Sequence, residues 1–321
     1  MNLMPLYYFK EVAKDLNMTK TASRLFISQQ ALSKCIAQLE KDYNVVFFIR
    51  KPHLRLTSAG EAMLAFCRKV LHEQQNLQEI LSDITEDTKG TIRFGASMLR
   101  SNFCLPQILP QFSHHYPHVN IRVSDHISET LQNMILQDEL DVALCSLNEP
   151  ISEVETHLIL SDNVYLCVTD KLLQQYYPST YPALKEKSRL GAFIGDFSRL
   201  PFLTLDSPNK LGRVMDHCFK EAGFVPKSYL SATFTRLFPA LCSHSLAACV
   251  CTQMTLNTYE GVLPRDMNIF HLRYRGKYVY HNVYLTHAKK TYVPQYMNYF
   301  YTLINDCFAS LNRKDLSRIS P

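Results

Sequence analysis

The sequence predicts a mainly α N-terminal head with a small β-wing, one long connecting helix, and an α/β body of two Rossmann-like subdomains. Three observations carry that expectation. Short helical patterns crowd the first 45 residues and give way to a β-prone stretch interrupted by a proline. An apolar repeat at seven-residue spacing then runs from Met63 to Ile84. Beyond Gly90, β-rich runs alternate with helical segments, the pattern of helices laid on a mainly parallel sheet. The 321 residues exceed the usual single-domain size, and 46% hydrophobic content supplies ample core.

Leu6, Phe9, Val12, Ala13 and Leu16 recur at helical spacing and give the first helix one buried stripe. Thr19 reads as the N-cap of a second helix, with Ala22 and Leu25 facing inward. Ser28 is positioned to cap a third, whose inner face is Leu32, Ile36 and Leu39. Val45–Ile49 and His53–Leu56, separated by Pro52, form a hairpin or wing. Ser58 and Glu61 make a capping box that opens the long helix. Within it Met63, Val70, Leu77 and Ile84 repeat by sevens, with Phe66, Ile80 and Leu81 between, which suggests a coiled-coil dimer helix. Asp87–Gly90 ends that helix and marks the clearest boundary. Strands are expected at 91–96, 120–125, 141–145, 164–170, 202–205, 228–233, 246–251, 267–273 and 278–287, and helices at 101–116, 128–138, 210–223, 235–244 and 294–312.

Charge is unevenly placed. Residues 1–57 hold nine basic and four acidic side chains, so this stretch carries the whole net charge of +5. A basic head on a neutral body points to a polyanion partner. The ten cysteines lack metal or disulfide spacing, and Cys249 and Cys251 alternate onto one face of an apolar run, so buried reduced thiols are expected. The N-terminus has helical periodicity rather than a signal-peptide block, and no apolar run approaches the roughly 20 residues that span a bilayer, so a cytoplasmic protein with no membrane partner is expected. There is no G-x-S-x-G elbow and no H-E-x-x-H, and nine glycines leave no phosphate-cradling loop. An enzyme is therefore not expected.

The head resembles the LysR-type transcriptional regulators. The resemblance rests on Ser28-Gln29-Gln30-Ala31-Leu32-Ser33, Ile36-x-x-Leu39-Glu40, Phe47-Phe48-x-Arg50 and Leu54-x-Leu56-Thr57-x-Ala59-Gly60. The body is similar through Arg93-Phe94-Gly95-Ala96-Ser97, Leu140-Asp141-Val142-Ala143 and Glu221-Ala222-Gly223-Phe224-x-Pro226. It departs where Asn44 stands in place of a usual glycine and where residues 242–249 replace a glycine-rich run with bulkier side chains.

The resemblance implies a winged helix-turn-helix domain over residues 1–58, a linker and dimerisation helix over 59–89, and an effector-binding domain over 90–321 that folds like a periplasmic binding protein. Its subdomain I would take about 90–162 and 270–321, and subdomain II about 163–269. Double-stranded DNA is the expected partner. Interrupted palindromes would be read by a dimer, or by a tetramer made of paired dimers, with RNA polymerase as a further contact at the promoter. Ser28 would aim the third helix at the major groove, where Gln29 and Gln30 suit adenine. Ser33 and Lys34 suit a phosphate or a guanine edge, Thr19 a phosphate, and Arg50 and Arg55 phosphates or a narrow minor groove. Position matching selects Ser97, Leu99, Arg100, Ser128, Thr204 and Thr233 as effector contacts, with an anion held by Arg100 and backbone N–H groups. No cofactor is expected beyond a small-molecule effector of unknown identity. A cysteine-based redox sensor, an enzyme or binding protein with an incidental helical head, and a ligand-independent DNA binder are the rival readings.

Overall fold

A computed structural model describes residues 3–84, 89–146, 153–206, 210–289 and 292–312, and the chain divides into a small unit, residues 1–90 with 291–295, and a larger one, residues 91–290 and 296–321. The small unit comprises α1 (Met4–Asp15), α2 (Met18–Arg24), α3 (Gln29–Asp42), the hairpin of β1 (Phe48–Ile49) and β2 (Arg55–Leu56), and α4 (Ser58–Ile84). Its core gathers Phe9, Val12, Leu32, Ile36 and Phe48 with Met63 and Cys67 from α4.

Backbone chemistry sets the joins. Asn17, not Thr19, caps α2: its Oδ1 accepts the Lys20 N–H at 2.9 Å, and Thr19 falls inside the first turn. Asn caps as well as Thr and here stands at the extended position just before the helix. Between α2 and α3 the Phe26 N–H donates to Ser23 O and the Ile27 N–H to Ala22 O, a Schellman turn with Phe26 in the left-handed position at φ 55°. Ser28 then caps α3 as expected, its Oγ accepting from Ala31 N at 3.1 Å. A second Schellman turn ends α3, with Asn44 at φ 51° and the Val45 N–H donating to Glu40 O, so Asn serves where a glycine is usual. The capping box at Ser58 does not form. Thr57 opens α4 instead, its Oγ1 accepting from Gly60 N at 3.0 Å, and Ser58 is already helical.

On α4 the heptad positions divide between two tasks. Met63 is spent on the head core, while Phe66, Leu77 and Leu81 stay 47%, 56% and 52% exposed as an apolar stripe. The side chain of Ile84 lies outside the described residues.

The larger unit begins β3 (Gly90–Ala96), α5 (Met98–His115), β4 (Val119–Asp125), α6 (Ser128–Leu136), β5 (Val142–Cys145) and β6 (Val154–Thr169). It continues α7 (Asp170–Tyr176), α8 (Tyr181–Ser188), β7 (Ala192–Phe193), β8 (Pro201–Leu205), α9 (Lys210–Glu221) and β9 (Lys227–Ala232). It finishes α10 (Phe238–Ser243), β10 (Ala248–Thr252), α11 (Gln253–Asn257), β11 (Met267–Tyr274), β12 (Lys277–Tyr278), β13 (Tyr280–Ala288) and α12 (Gln295–Asn312).

Two lobes share β6. Its first half pairs with β13 in a lobe that also holds β4, β3 and β5; its second half pairs with β10 and β11 in a lobe completed by β8 and β9. The chain leaves the first lobe at Asn163–Val164 and returns at Val279–Tyr280, where the Val164 N–H donates to Val279 O at 3.1 Å. The return expected near residue 270 is therefore corrected, because β11 still pairs with the second half of β6. The sheet is also less parallel than expected. β3–β5, β10–β8 and β8–β9 are parallel, but β6 and β13 run antiparallel to their partners, as strands leaving and re-entering a lobe side by side must. The aromatic core of the first lobe sets Phe94 and Phe112 edge-to-face against Phe300 of α12, and that of the second packs Phe202 against Phe219 and Phe224.

Candidate nucleic-acid interface and ligand cleft

The first turn of α3 is open to solvent. Ser28, Gln29, Gln30 and Lys34 are exposed, Ser33 is half-buried one turn on, and Thr19 is exposed at the start of α2. With its N-terminus capped by Ser28, α3 presents two amide side chains beside the positive end of its dipole. The head's acidic groups are spent internally. Glu11 and Asp15 both bind Arg24 across α1 and α2, and the Arg24 guanidinium holds the Asp15 carboxyl below its ordinary range. Asp42 accepts from Gln38 at 2.6 Å. Glu40, which sequence reasoning assigned no role, accepts from Phe47 N at 2.8 Å and Phe48 N at 3.2 Å, fastening the wing to α3. It also accepts from Arg50 Nη2 at 3.2 Å, so Arg50 braces the wing as well as facing solvent. Lys14, Lys34, Lys41, Lys51 and Arg55 remain exposed, which leaves the surface of the head positive.

In the larger unit, Arg100 behaves differently from expectation. It is 6% exposed, and its guanidinium turns inward to donate to Leu144 O at 2.9 Å and Ser146 Oγ at 2.5 Å. Ser146 N in turn donates to Ser128 Oγ at 2.9 Å, so two expected effector residues are joined through a third that was missed. The N-terminus of α5 is not vacant for an anion: Asp125 Oδ1 accepts the Met98 N–H at 2.9 Å. Ser97 has the N-cap dihedrals without accepting a cap bond, and Leu99 is half-buried in the next turn.

Charge gathers where the lobes join. Asp162 and His281 are cross-strand partners on β6 and β13, one residue from the crossing at Asn163–Val164 and Tyr280. Burial pushes the Asp162 carboxyl up to about 7, against hydrogen bonds from Thr252 and the backbone at Met254 and the nearby Arg100 charge. Burial, together with the charges of Arg100 and Lys210, pushes His281 down to about 3. Lys210, at the start of α9 in the second lobe, is lowered by burial and by Arg100. Arg100, Asp162, His281 and Lys210 thus form one electrostatic cluster fed by both lobes. Asn163 Nδ2 donates to Gln253 Oε1 at 2.7 Å beside it.

The second-lobe threonines stand apart from this network. Thr204 shares a 2.6 Å hydrogen bond with Ser228 and lines a cavity of about 300 Å³ with Met215 and Phe219 of α9. Thr233 is exposed beyond the end of β9. The thiols are free: nine of the ten are buried, with Cys35 half-buried. Cys167 and Cys251 lie with sulfurs 3.6 Å apart in the core of the second lobe.

Comparison with known proteins matches residues 3–61 to the family "Bacterial regulatory helix-turn-helix protein, lysR family" and residues 85–282 to "LysR substrate binding domain". The HTH-type transcriptional regulator CysB of Burkholderia cenocepacia is 24% identical over 317 residues, which is 98% of this chain and 95% of that protein. A probable RuBisCO transcriptional regulator of Trieres chinensis is 28% identical over 229 residues, 71% of this chain and 72% of that protein. Among solved structures, a full-length OxyR variant from Pseudomonas aeruginosa aligns with a TM-score of 0.68 at 17% identity, covering 96% of this chain and 94% of its own. CbnR in complex with its target DNA aligns at 0.56 with 20% identity, covering 96% and 100%. No helix among the described residues is long and apolar enough to cross a membrane.

Proposed function

The chain belongs to the LysR family of DNA-binding transcriptional regulators, and from that premise we propose that it reads an interrupted palindrome as a dimer or tetramer under control of a small anionic effector. DNA reading falls to Gln29 and Gln30, with Ser33, Lys34, Thr19, Arg50 and Arg55 on the flanking backbone or bases. The observation that carries this part is the Ser28-capped, solvent-open first turn of α3, set in a head whose acidic groups are consumed internally. The exposed Phe66–Leu77–Leu81 stripe supports self-association through α4.

The effector reading rests on the cluster at the lobe crossing. Arg100 and Lys210 bring two cations to the buried carboxyl of Asp162, and His281 adds a neutral imidazole, a set of groups that suits an anion. Because Lys210 comes from one lobe and Arg100 from the other, a ligand that contacts both favours one arrangement of the lobes. That differential affinity shifts the population and changes promoter bending or contact with RNA polymerase. The cytoplasm is where such a regulator works.

The test is footprinting on the gene's own upstream region with a salt titration, then thermal shifts with a panel of small carboxylates, phosphates and sulfur oxyanions. A protected interrupted palindrome with affinity falling steeply in salt is expected, with an anion that stabilises the wild type and not Lys210→Ala. Equal affinity for random DNA would defeat the head reading. Stabilisation by cationic or neutral ligands alone would defeat the anion reading.

A further inference from the structure

Glu155, His157 and His287 meet on one face of the β6–β13 pair, away from the crossing cluster. Glu155 and His287 are directly opposed in register, and His157 lies two residues further along β6, so all three side chains share a face. Their ligating atoms all fall within 4.8 Å of one another. Glu155 and His157 are exposed, which gives an entry path, while His287 is buried at its base.

The His287 ring is held in place. It stacks on Tyr301 of α12 at 5.0 Å and 14°, and on His157 at 5.8 Å and 27°. Its Nδ1 lies 3.0 Å from Ala288 O. A carbonyl oxygen only accepts, so Nδ1 is a donor and Nε2 is the nitrogen turned toward Glu155, 3.7 Å from its Oε2. An imidazole whose other nitrogen donates to a backbone carbonyl is also how proteins fix the tautomer of a metal-bound histidine.

We propose that Glu155, His157 and His287 form a site for a divalent transition-metal ion of the zinc type, with a fourth coordination position open to solvent. Two imidazoles and one carboxylate suit zinc, nickel or cobalt rather than calcium or magnesium. Donors about 2.1 Å from a tetrahedral ion stand roughly 3.4 Å apart, so the 3.7 Å between Nε2 and Oε2 closes with a small side-chain rotation. The ion would tie β6 to β13 near the end of their ladder remote from the lobe crossing.

Titration calorimetry of the metal-stripped full-length protein with zinc chloride tests this, with the cobalt(II) spectrum as a second readout. One zinc per chain is expected, weakened about tenfold or more by His157→Ala and by Glu155→Gln, both exposed positions where folding is not at stake. His114→Ala, on α5, leaves binding unchanged, and the cobalt form lacks the thiolate charge-transfer band that the core cysteines would produce. Absent binding would show that Glu155 and His287 meet as a polar pair without a metal. An isotherm indifferent to both substitutions, or a thiolate band, would place the metal elsewhere. Any of these results overturns the proposal.

Discussion

Replacing Gly60 with alanine reverses a familiar stability effect. In an ordinary helix the change gains about 0.5–1 kcal/mol, because glycine loses more backbone freedom on folding. Here a Cβ would stand 2.2 Å from Phe47 O and 2.9 Å from Leu56 Cδ2. A carbon–oxygen contact needs roughly 3.3 Å, so α4 and the wing must separate by about 1 Å. The leucine end can swing, but the carbonyl belongs to backbone and already accepts from Thr57 N at 2.9 Å and Thr57 Oγ1 at 3.3 Å. Overpacking costs about 1–3 kcal/mol, and weakening those hydrogen bonds adds up to about 1 kcal/mol. After the helix gain is subtracted, a net loss of up to about 3.5 kcal/mol is expected for the head. Hydrogen exchange on the full-length protein reads it as faster exchange across residues 47–60 with the body unchanged, and the operator affinity falls because the wing is unseated. The control is Ala62→Gly on the exposed side of the same helix, which costs about 1 kcal/mol by propensity alone. Slower exchange in Gly60→Ala would refute the argument, since the helix gain would then exceed the steric cost.

Three further outcomes follow from the same geometry. Gln29→Ala or Gln30→Ala weakens operator binding by about 1–3 kcal/mol, and equal losses on random DNA in gel shifts would contradict base reading. Phe26→Asn stabilises the head by several tenths of a kcal/mol or more in denaturant melts, because asparagine tolerates the left-handed Schellman position that Phe26 occupies while 96% exposed. Asp162→Asn changes a pH slope. The folded carboxyl, raised to about 7, keeps its proton while the unfolded one near 4 ionises, so wild-type stability drains away as pH climbs from about 4 to 7. The variant therefore gains relative to wild type across that window in thermal melts, and a constant difference between the two would remove the assigned cause.

The head was legible almost residue by residue because its signals are local. Ser28 caps, Leu32, Ile36 and Leu39 bury, and Asn44 takes the left-handed turn within a few positions of where each is read. The errors there are two slips between equally good capping groups, Asn17 for Thr19 and Thr57 for Ser58, and Leu16, expected in the buried stripe but 43% exposed at the left-handed end of α1. In the body, strand positions were readable from β-branched and aromatic runs, but the first half of β6 was not. The strand expected there begins only at residue 164, since nothing local explains the buried aspartate of Ser161-Asp162-Asn163 in a strand. That aspartate is stabilised by the amides at the start of α11, about 90 residues away, and by Arg100 across the fold. His281 was hidden likewise inside a run that looks like ordinary strand. Short helices α7, α8 and α11 lack a full periodic stripe and went unread. Arg100 was found, but its orientation depends on where Leu144 O lies, which no pattern in its own neighbourhood encodes.

The side-by-side crossings at Asn163–Val164 and Val279–Tyr280 limit how the two lobes can move. The chain passes between the lobes at these two crossings, which are bonded to each other and, through Val164, Asp162 and Asn163, to β10 and α11 of the second lobe, so any motion of one lobe against the other is transmitted through them. Asp162 and His281 sit one residue from that passage, where a change of local charge reaches both lobes at once.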